Sequence, residues 1–172
     1  MSYLKLVLFQ GVWAACALGA AQGRAGIGLA AALGLVLLHV AIAPRPGRTL
    51  ATVAAAAVLG FAAETAMVSA GAIKYATAWP DDHAAPAWVI GLWAAFATTS
   101  DSARRLLGAH ALGKAALLGL VLAPASYLAG ARLGALTLPV PAWSGLVVVA
   151  AVWAIAYPLL LALEPRERTA AD

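Results

Sequence analysis

Glu64 is the residue whose chemistry most needs an explanation, because it lies inside a long apolar run, VLGFAAETAMVSAGAIKYA. In a bilayer, an acidic side chain near the centre of a helix costs on the order of 2.5–3.5 kcal/mol, so it usually faces a partner, a cavity or the bundle interior. Two interpretations stay open. Glu64 is either the polar centre of a ligand or proton site, or a protonated carboxyl group that is hydrogen-bonded to a neighbouring helix and keeps the bundle in register.

Two further clusters supply polar side chains that can share a site with Glu64. In FATTSDSARR, Asp101 precedes two arginines by three and four residues, a spacing that permits ion pairs within one helix. Thr98 lies three residues before Asp101 in the same stretch. In APASYLAGARLGA, Pro124 removes a backbone donor from an apolar segment, and Tyr127 follows it. We therefore predict a ligand-binding site formed by Glu64, Trp93, Thr98, Asp101 and Tyr127.

Neither a metal ion nor a cofactor is expected. Asp81, Asp82 and His83 are consecutive, so we expect them to diverge in a solvated loop rather than to bind one ion. The chain has none of the local motifs of serine hydrolases, zinc proteases or phosphate-binding loops. Whether the protein is an enzyme, with Glu64 as an acid or a base, stays open.

The composition indicates that these residues are positioned within a lipid bilayer rather than in water. Of the 172 residues, 64% are hydrophobic and 10% are charged, against about 45–50% and about 25% in soluble domains. We predict an all-α, polytopic membrane helix bundle over residues 1–163 and a short cytoplasmic tail over residues 164–172. The six predicted transmembrane helices are Leu4–Ala21, Gly26–Ala43, Leu50–Ala76, Ala87–Leu107, Ala111–Ala131 and Ala142–Leu163.

The basic residues predict the orientation of these helices. With the N-terminus inside, eight of the eleven Lys and Arg residues fall on the cytoplasmic side, and Arg24, Lys74 and Arg132 fall on the outer side. Both termini are therefore predicted to be cytoplasmic. Because the basic residues form no single face, we expect no nucleic-acid partner. The first segment also has features of a cleavable signal peptide, but Gln10 and Trp13 in its apolar core favour retention.

Three stretches together resemble a family of uncharacterised bacterial six-span inner-membrane proteins, a domain of unknown function: LVLFQGVWAACALGAA, LWAAFATTSDSARRLL and PASYLAGARLGA. The family pattern has Asn-His where this chain has Asp101 and Ser102, so a role of that histidine is not carried over. The resemblance implies a bacterial inner-membrane location. It also implies genes nearby for a cyclopropane-fatty-acid-synthase-like methyltransferase, a flavin-dependent amine-oxidase-like protein and a lipocalin-like protein, and thus a setting of lipid modification.

These observations support one principal hypothesis and two alternatives. The principal hypothesis is a membrane protein that binds, presents or helps modify a membrane lipid or fatty-acyl ligand in a pocket centred on Glu64, with proteins of a lipid pathway as partners. The first alternative is the substrate-binding subunit of a vitamin-like importer, with an outer entrance near Lys74, Tyr75, Asp81, Tyr127 and Arg132. The second is a non-catalytic structural subunit of a membrane complex.

Overall fold

The computed structural model describes residues 2–163, so the predicted tail over residues 164–172 lies outside the described residues. Within that range the regular structure consists of seven helices and one two-stranded ribbon, which confirms the all-α prediction. The elements in chain order are α1 (Ser2–Ala21), α2 (Ala25–Ala41), α3 (Pro46–Ser69), β1 (Lys74–Tyr75), α4 (Ala87–Ala97), α5 (Ser100–Leu107), α6 (Ala111–Leu133), β2 (Leu136–Thr137) and α7 (Ala142–Leu163).

Four helices, α1, α3, α6 and α7, are long and apolar enough to cross a membrane. They overlap the first, third, fifth and sixth predicted transmembrane helices. The other two apolar helices are shorter, with 17 residues in α2 and 11 in α4. Pro124 lies inside α6, which continues through it as one helix. The helix that carries Glu64, α3, is thus one of the four long apolar helices.

The third predicted transmembrane helix extends too far, because α3 ends at Ser69 rather than at Ala76. Gly71 follows with a φ of +68°, a left-handed conformation that glycine adopts without strain and that commonly ends a helix. A Cβ atom at Gly71 would meet no atom within 4 Å, so no other element packs closely against this turn. After this turn, β1 pairs antiparallel with β2, with Tyr75 opposite Leu136.

The fourth predicted transmembrane helix is interrupted at Thr98 and Thr99, which separate α4 from the polar helix α5. The Thr98 hydroxyl donates to the carbonyl oxygen of Ala95 at 2.7 Å, and the Thr99 hydroxyl donates to that of Phe96 at 2.7 Å. Threonine hydroxyls that bond to nearby backbone oxygens compete with the helical ladder. The helix therefore breaks at two residues whose hydroxyl groups are hydrogen-bonded to backbone oxygens three residues earlier.

The helices pack so that α1 contacts α2, α2 and α3 contact α4, and α6 contacts α7. Contacts at one end of the bundle join α1 and α7 to α5. Lys5 Nζ on α1 lies 2.8 Å from Asp101 Oδ2 on α5, and Arg104 on α5 donates to the carbonyl oxygen of Leu161 on α7. At the other end, the β1–β2 ribbon joins the chain after α3 to the chain after α6. Glu64 lies five residues before the end of α3, towards the end of the bundle that holds the ribbon.

Candidate ligand-binding site

Glu64 is almost fully buried, with 1% of its surface exposed, and three side chains from three other elements donate hydrogen bonds to it. The Trp93 Nε1–H on α4 donates to Oε1 at 2.8 Å, and the Tyr127 hydroxyl on α6 donates to the same oxygen. The Tyr75 hydroxyl on β1 donates to Oε2 at 2.5 Å. The carboxyl group is therefore the point at which α3, α4, α6 and the ribbon meet.

Two local features of the chain bring these donors to Glu64. One turn before Glu64 on α3, Gly60 leaves room for the Trp93 ring, because a Cβ atom at Gly60 would lie 2.2 Å from Trp93 Cγ. The turn at Gly71 returns the chain towards α3, so that Tyr75 on β1 reaches the carboxyl group.

Trp153 on α7 supports two of the donors of Glu64. Trp153 Nε1–H donates to the Tyr127 hydroxyl oxygen at 3.2 Å, while that hydroxyl donates its own hydrogen to Glu64. The Trp153 ring also stacks on the Trp93 ring, with centroids 4.5 Å apart. Trp153 therefore fixes two of the three side chains that contact Glu64.

All three donors to Glu64 are neutral groups. Among the residues that the structure describes, ion pairs join Asp101 to Lys5 and Arg105, and Asp82 to His83; none includes Glu64. Burial, followed by the Glu64 carboxylate, raises the pKa of the Tyr75 hydroxyl well above its usual range. Tyr75 therefore remains a hydrogen-bond donor at physiological pH, and the chain supplies hydrogen bonds to Glu64 without supplying a cation.

A cavity of about 320 Å³ lies beside this cluster, between α1, α4, α6 and α7. Its lining is mainly apolar, and it includes nine of the chain's thirteen aromatic residues, which are six Trp, four Tyr and three Phe. The lining residues are Leu6, Phe9, Gln10, Trp13, Ala17, Glu64, Tyr75, Trp88, Val89, Leu92, Trp93, Phe96, Leu118, Gly119, Leu122, Ala123, Ser126, Tyr127, Gly130, Ala135, Leu136, Trp153 and Tyr157.

Exposed lining residues on α1 and α6 indicate that the cavity opens between these two helices, at what we call the α1/α6 mouth. Two of its lining residues are exposed there, Gln10 on α1 and Leu122 on α6, and 58% of the Leu122 surface is exposed. Both residues lie close to the middle of their helices, which run over Ser2–Ala21 and Ala111–Leu133. The mouth therefore opens through the side of the bundle rather than at one of its ends.

Three of the five predicted site residues come together at this cavity: Glu64, Trp93 and Tyr127. The other two lie elsewhere. Thr98 is buried, with its hydroxyl bonded to its own helix, and it does not line the cavity. Asp101 accepts hydrogen bonds from Lys5 at 2.8 Å and from Arg105 at 2.6 Å. The predicted ion pair within α5 is present, but the structure places Asp101 away from Glu64.

Sequence reasoning missed Trp153, and it left Tyr75 out of the predicted site, although helical spacing put Tyr75 on the same side as Glu64. The available signal was the position of aromatic residues in the middle of apolar segments rather than at their ends. Trp153 and Tyr157 are four residues apart on α7, which places both on one face of the helix, and both line the cavity. The same spacing relates Phe9 and Trp13 on α1, which also line it.

The residues assigned to the importer alternative do not form one site. Tyr75 and Tyr127 line the cavity, whereas Lys74, Asp81 and Arg132 are exposed and do not. The expectation that the WPDDHAAP loop would hold its acidic and histidine side chains apart is wrong: their ligand atoms all lie within 4.8 Å of one another. All three side chains of that cluster are exposed, as the sequence predicted for a solvated loop.

Comparison with known proteins identifies a family for the chain. No curated protein and no solved structure matches it. The family model described as "Protein of unknown function (DUF2878)" matches residues 2–159, which cover almost all of the part that the structure describes. This agrees with the predicted resemblance to an uncharacterised family. The chain, with its buried acid and its aromatic cavity, belongs to the DUF2878 family of proteins of unknown function.

Proposed function

We propose that the protein is a six-span protein of the bacterial inner membrane with both termini in the cytoplasm. The spans are α1, α2, α3, α4 together with α5, α6, and α7. The orientation is supported by the basic residues, which are more numerous at the end of the bundle that holds Lys5, Arg104 and Arg105. The inner-membrane location is supported only by the family resemblance.

We propose further that the protein binds a membrane lipid or another fatty-acyl ligand in the cavity beside Glu64. The observation that carries this proposal is the α1/α6 mouth, which lies midway along two helices. In a bilayer, that position faces the acyl chains and not the aqueous phase. A ligand can therefore pass between lipid and cavity without crossing water.

The size and the lining of the cavity suit one acyl chain. Its volume of about 320 Å³ is near the lower end of the range of about 300–1,000 Å³ for small-molecule pockets. Its walls are mainly Leu, Ala and aromatic side chains, and its polar groups are concentrated at Glu64. A ligand with one apolar chain and one polar end fits this arrangement, with the polar end at Glu64.

The proposed role is binding and presentation rather than a complete reaction. Glu64 already accepts hydrogen bonds from Tyr75, Trp93 and Tyr127, so it is positioned by the protein and held in one place. Fixed polar groups of this kind orient a ligand. A chemical step on the acyl chain would then belong to a partner of the lipid pathway that the family resemblance implies.

Native mass spectrometry of the protein released from gentle detergent tests this proposal. A bulky substitution at the mouth, Leu122→Trp, should reduce co-purifying lipid, because it narrows the opening between α1 and α6. Leu117→Trp is the matched control: Leu117 is also an exposed leucine of α6, but it does not line the cavity. Equal lipid retention by the two variants, or no bound lipid in the unsubstituted protein, would contradict the proposal.

The same measurement separates the proposal from the importer alternative. Lys74→Ala and Arg132→Ala remove exposed cations that do not line the cavity. We expect both variants to retain the bound lipid. Loss of a bound polar ligand in these variants, with lipid retention unaffected by Leu122→Trp, would favour the importer instead.

A further inference from the structure

We infer that the ligand carries its polar end as an ammonium group, with the Glu64 carboxylate as its counter-ion. This inference rests on the proposed function, since it names the polar chemistry of the acyl-chain ligand. It follows from two independent features of the cavity, which are the lack of a cationic partner for Glu64 among the described residues and the aromatic groups around it.

The hydrogen bonds to Glu64 leave one acceptor position unused. An ionised carboxylate offers about four lone-pair positions on its two oxygens. Trp93 and Tyr127 use two positions on Oε1, and Tyr75 uses one on Oε2. A position on Oε2 therefore remains for one more donor. Because Glu64 lines the cavity, that donor can come from a ligand.

The same donors would leave an ionised Glu64 without a compensating positive charge. Tyrosine hydroxyl and indole groups are neutral, and no ion pair within residues 2–163 includes Glu64. Ionisable residues within a membrane usually pair with an opposite charge, which in some proteins is the ligand itself. A cationic ligand would supply both the missing donor and the missing charge.

The aromatic lining favours an organic cation over a metal ion or a basic side chain. Cations are attracted to the faces of aromatic rings within about 6 Å, and quaternary ammonium groups are commonly recognised in this way. Tyr75, Trp93 and Tyr127 contact Glu64 directly, and Trp153 stacks on Trp93 at 4.5 Å. The Trp88 ring packs edge-on against Tyr75, with centroids 5.3 Å apart. Three aromatic side chains thus contact the Glu64 carboxyl group, and two further aromatic rings pack against those three.

Other polar ends suit the site less well. A fatty-acid carboxylate would place a second negative charge beside Glu64, and like charges at close range repel strongly in a low-dielectric interior. An alcohol could fill the free acceptor position on Oε2, but it would leave the charge uncompensated. The site therefore predicts a preference for an amine over an alcohol, and for an alcohol over a carboxylate.

The test compares three amphiphiles that share a dodecyl chain: dodecylammonium, whose N–H groups can donate to Oε2, dodecanol and dodecanoate. The protein is placed in nanodiscs of digalactosyldiacylglycerol, a neutral lipid without an ammonium group, and binding is followed by tryptophan fluorescence. Trp13, Trp88, Trp93 and Trp153 line the cavity, so four of the six tryptophans report on its occupancy. We expect the cation to bind most tightly and dodecanoate least tightly.

Substitution of Glu64 identifies the counter-ion. Glu64→Gln should weaken binding of the cation on the order of thirtyfold or more, the effect of removing one partner of a buried charge pair, and leave dodecanol binding unchanged. Glu64→Asp retains the charge and should retain the preference for the cation. Asp82→Asn, which removes an exposed carboxylate remote from the cavity lining, is the control for net charge and should leave all three affinities unchanged.

The outcomes separate this inference from the proposed function. Equal binding of the cation by the unsubstituted protein and by Glu64→Gln, or dodecanoate binding as tight as that of the cation, overturns the ammonium inference and leaves an acyl-binding cavity in place. Failure of all three amphiphiles to bind overturns both. Competition by added phosphatidylethanolamine would identify a lipid headgroup as the source of the ammonium, and the absence of competition would identify a single-chain amine.

Discussion

Gly60→Ala tests whether the lack of a side chain at Gly60 makes room for the Trp93 ring. A Cβ atom at this position would lie 2.2 Å from Trp93 Cγ and 2.6 Å from Trp93 Cβ, so the indole ring must move. Overpacking of this kind costs about 1–3 kcal/mol. The displaced ring would also lose its hydrogen bond to Glu64, and a hydrogen bond to a charged group contributes about 1.5–3 kcal/mol.

Gly34→Ala on α2 is the matched control, because a Cβ atom at Gly34 would meet nothing within 4 Å. Both substitutions replace a helical glycine with alanine, so their difference removes the gain in helix propensity of up to about 1 kcal/mol. We expect Gly60→Ala to be less stable than Gly34→Ala by about 2.5–6 kcal/mol, the sum of these two contributions. The assay is reversible unfolding in mixed micelles. Equal stability of the two variants, with unchanged tryptophan fluorescence, would show that the Trp93 ring does not pack against Gly60.

Three further substitutions test the contacts around the site by the same unfolding assay. Tyr127→Phe removes a donor to Glu64 and an acceptor for an indole, and should destabilise by about 1.5–3 kcal/mol, whereas Tyr3→Phe, the same change at an exposed position of α1, should change stability little. Asp101→Asn weakens two charge-assisted hydrogen bonds at a half-buried position and should lower the free energy of unfolding by about 1–3 kcal/mol. Its control, Asp82→Asn in the exposed loop, should lower that free energy by at most about 0.5 kcal/mol. Gly71→Ala places a side chain at a φ of +68° and should cost about 1–2 kcal/mol. Changes at Tyr127 or Asp101 no larger than those at their controls, or none at Gly71, would contradict the contacts described.

The helices themselves could be predicted because apolar length is a property of the sequence alone. The ends of α3 and α4 could not, and the reason differs between them. At the end of α3 the residues around Gly71 are as apolar as those before it, so hydropathy gives no sign of the left-handed turn. Between α4 and α5, Thr98 and Thr99 are compatible with a helix, and only their hydroxyl bonds to the backbone show the break.

The site could be predicted in part, because a buried acid in an apolar run is visible without a structure. Glu64 gives this signal, and Trp93 and Tyr127 lie on predicted helices that pack near it. Helical spacing would place Tyr75 on the face of α3, but its position depends on pairing with Leu136, which lies 61 residues further along the chain. The polarity of Asp101 suggests a site residue, but its side chain forms an ion pair with Lys5 on a different helix instead of joining Glu64. Pairings between distant segments are the information that a single sequence lacks.

The arrangement around Glu64 also has an evolutionary consequence. Because Tyr75, Trp93 and Tyr127 direct their donor groups at one acid, each of them loses its partner if position 64 becomes apolar. Unpaired donors buried in this way are costly. We therefore expect positions 64, 75, 93 and 127 to change together among members of the family. In lineages that lose the acid, phenylalanine should replace the two tyrosines. An alignment of the family should therefore show correlated substitutions at these four positions.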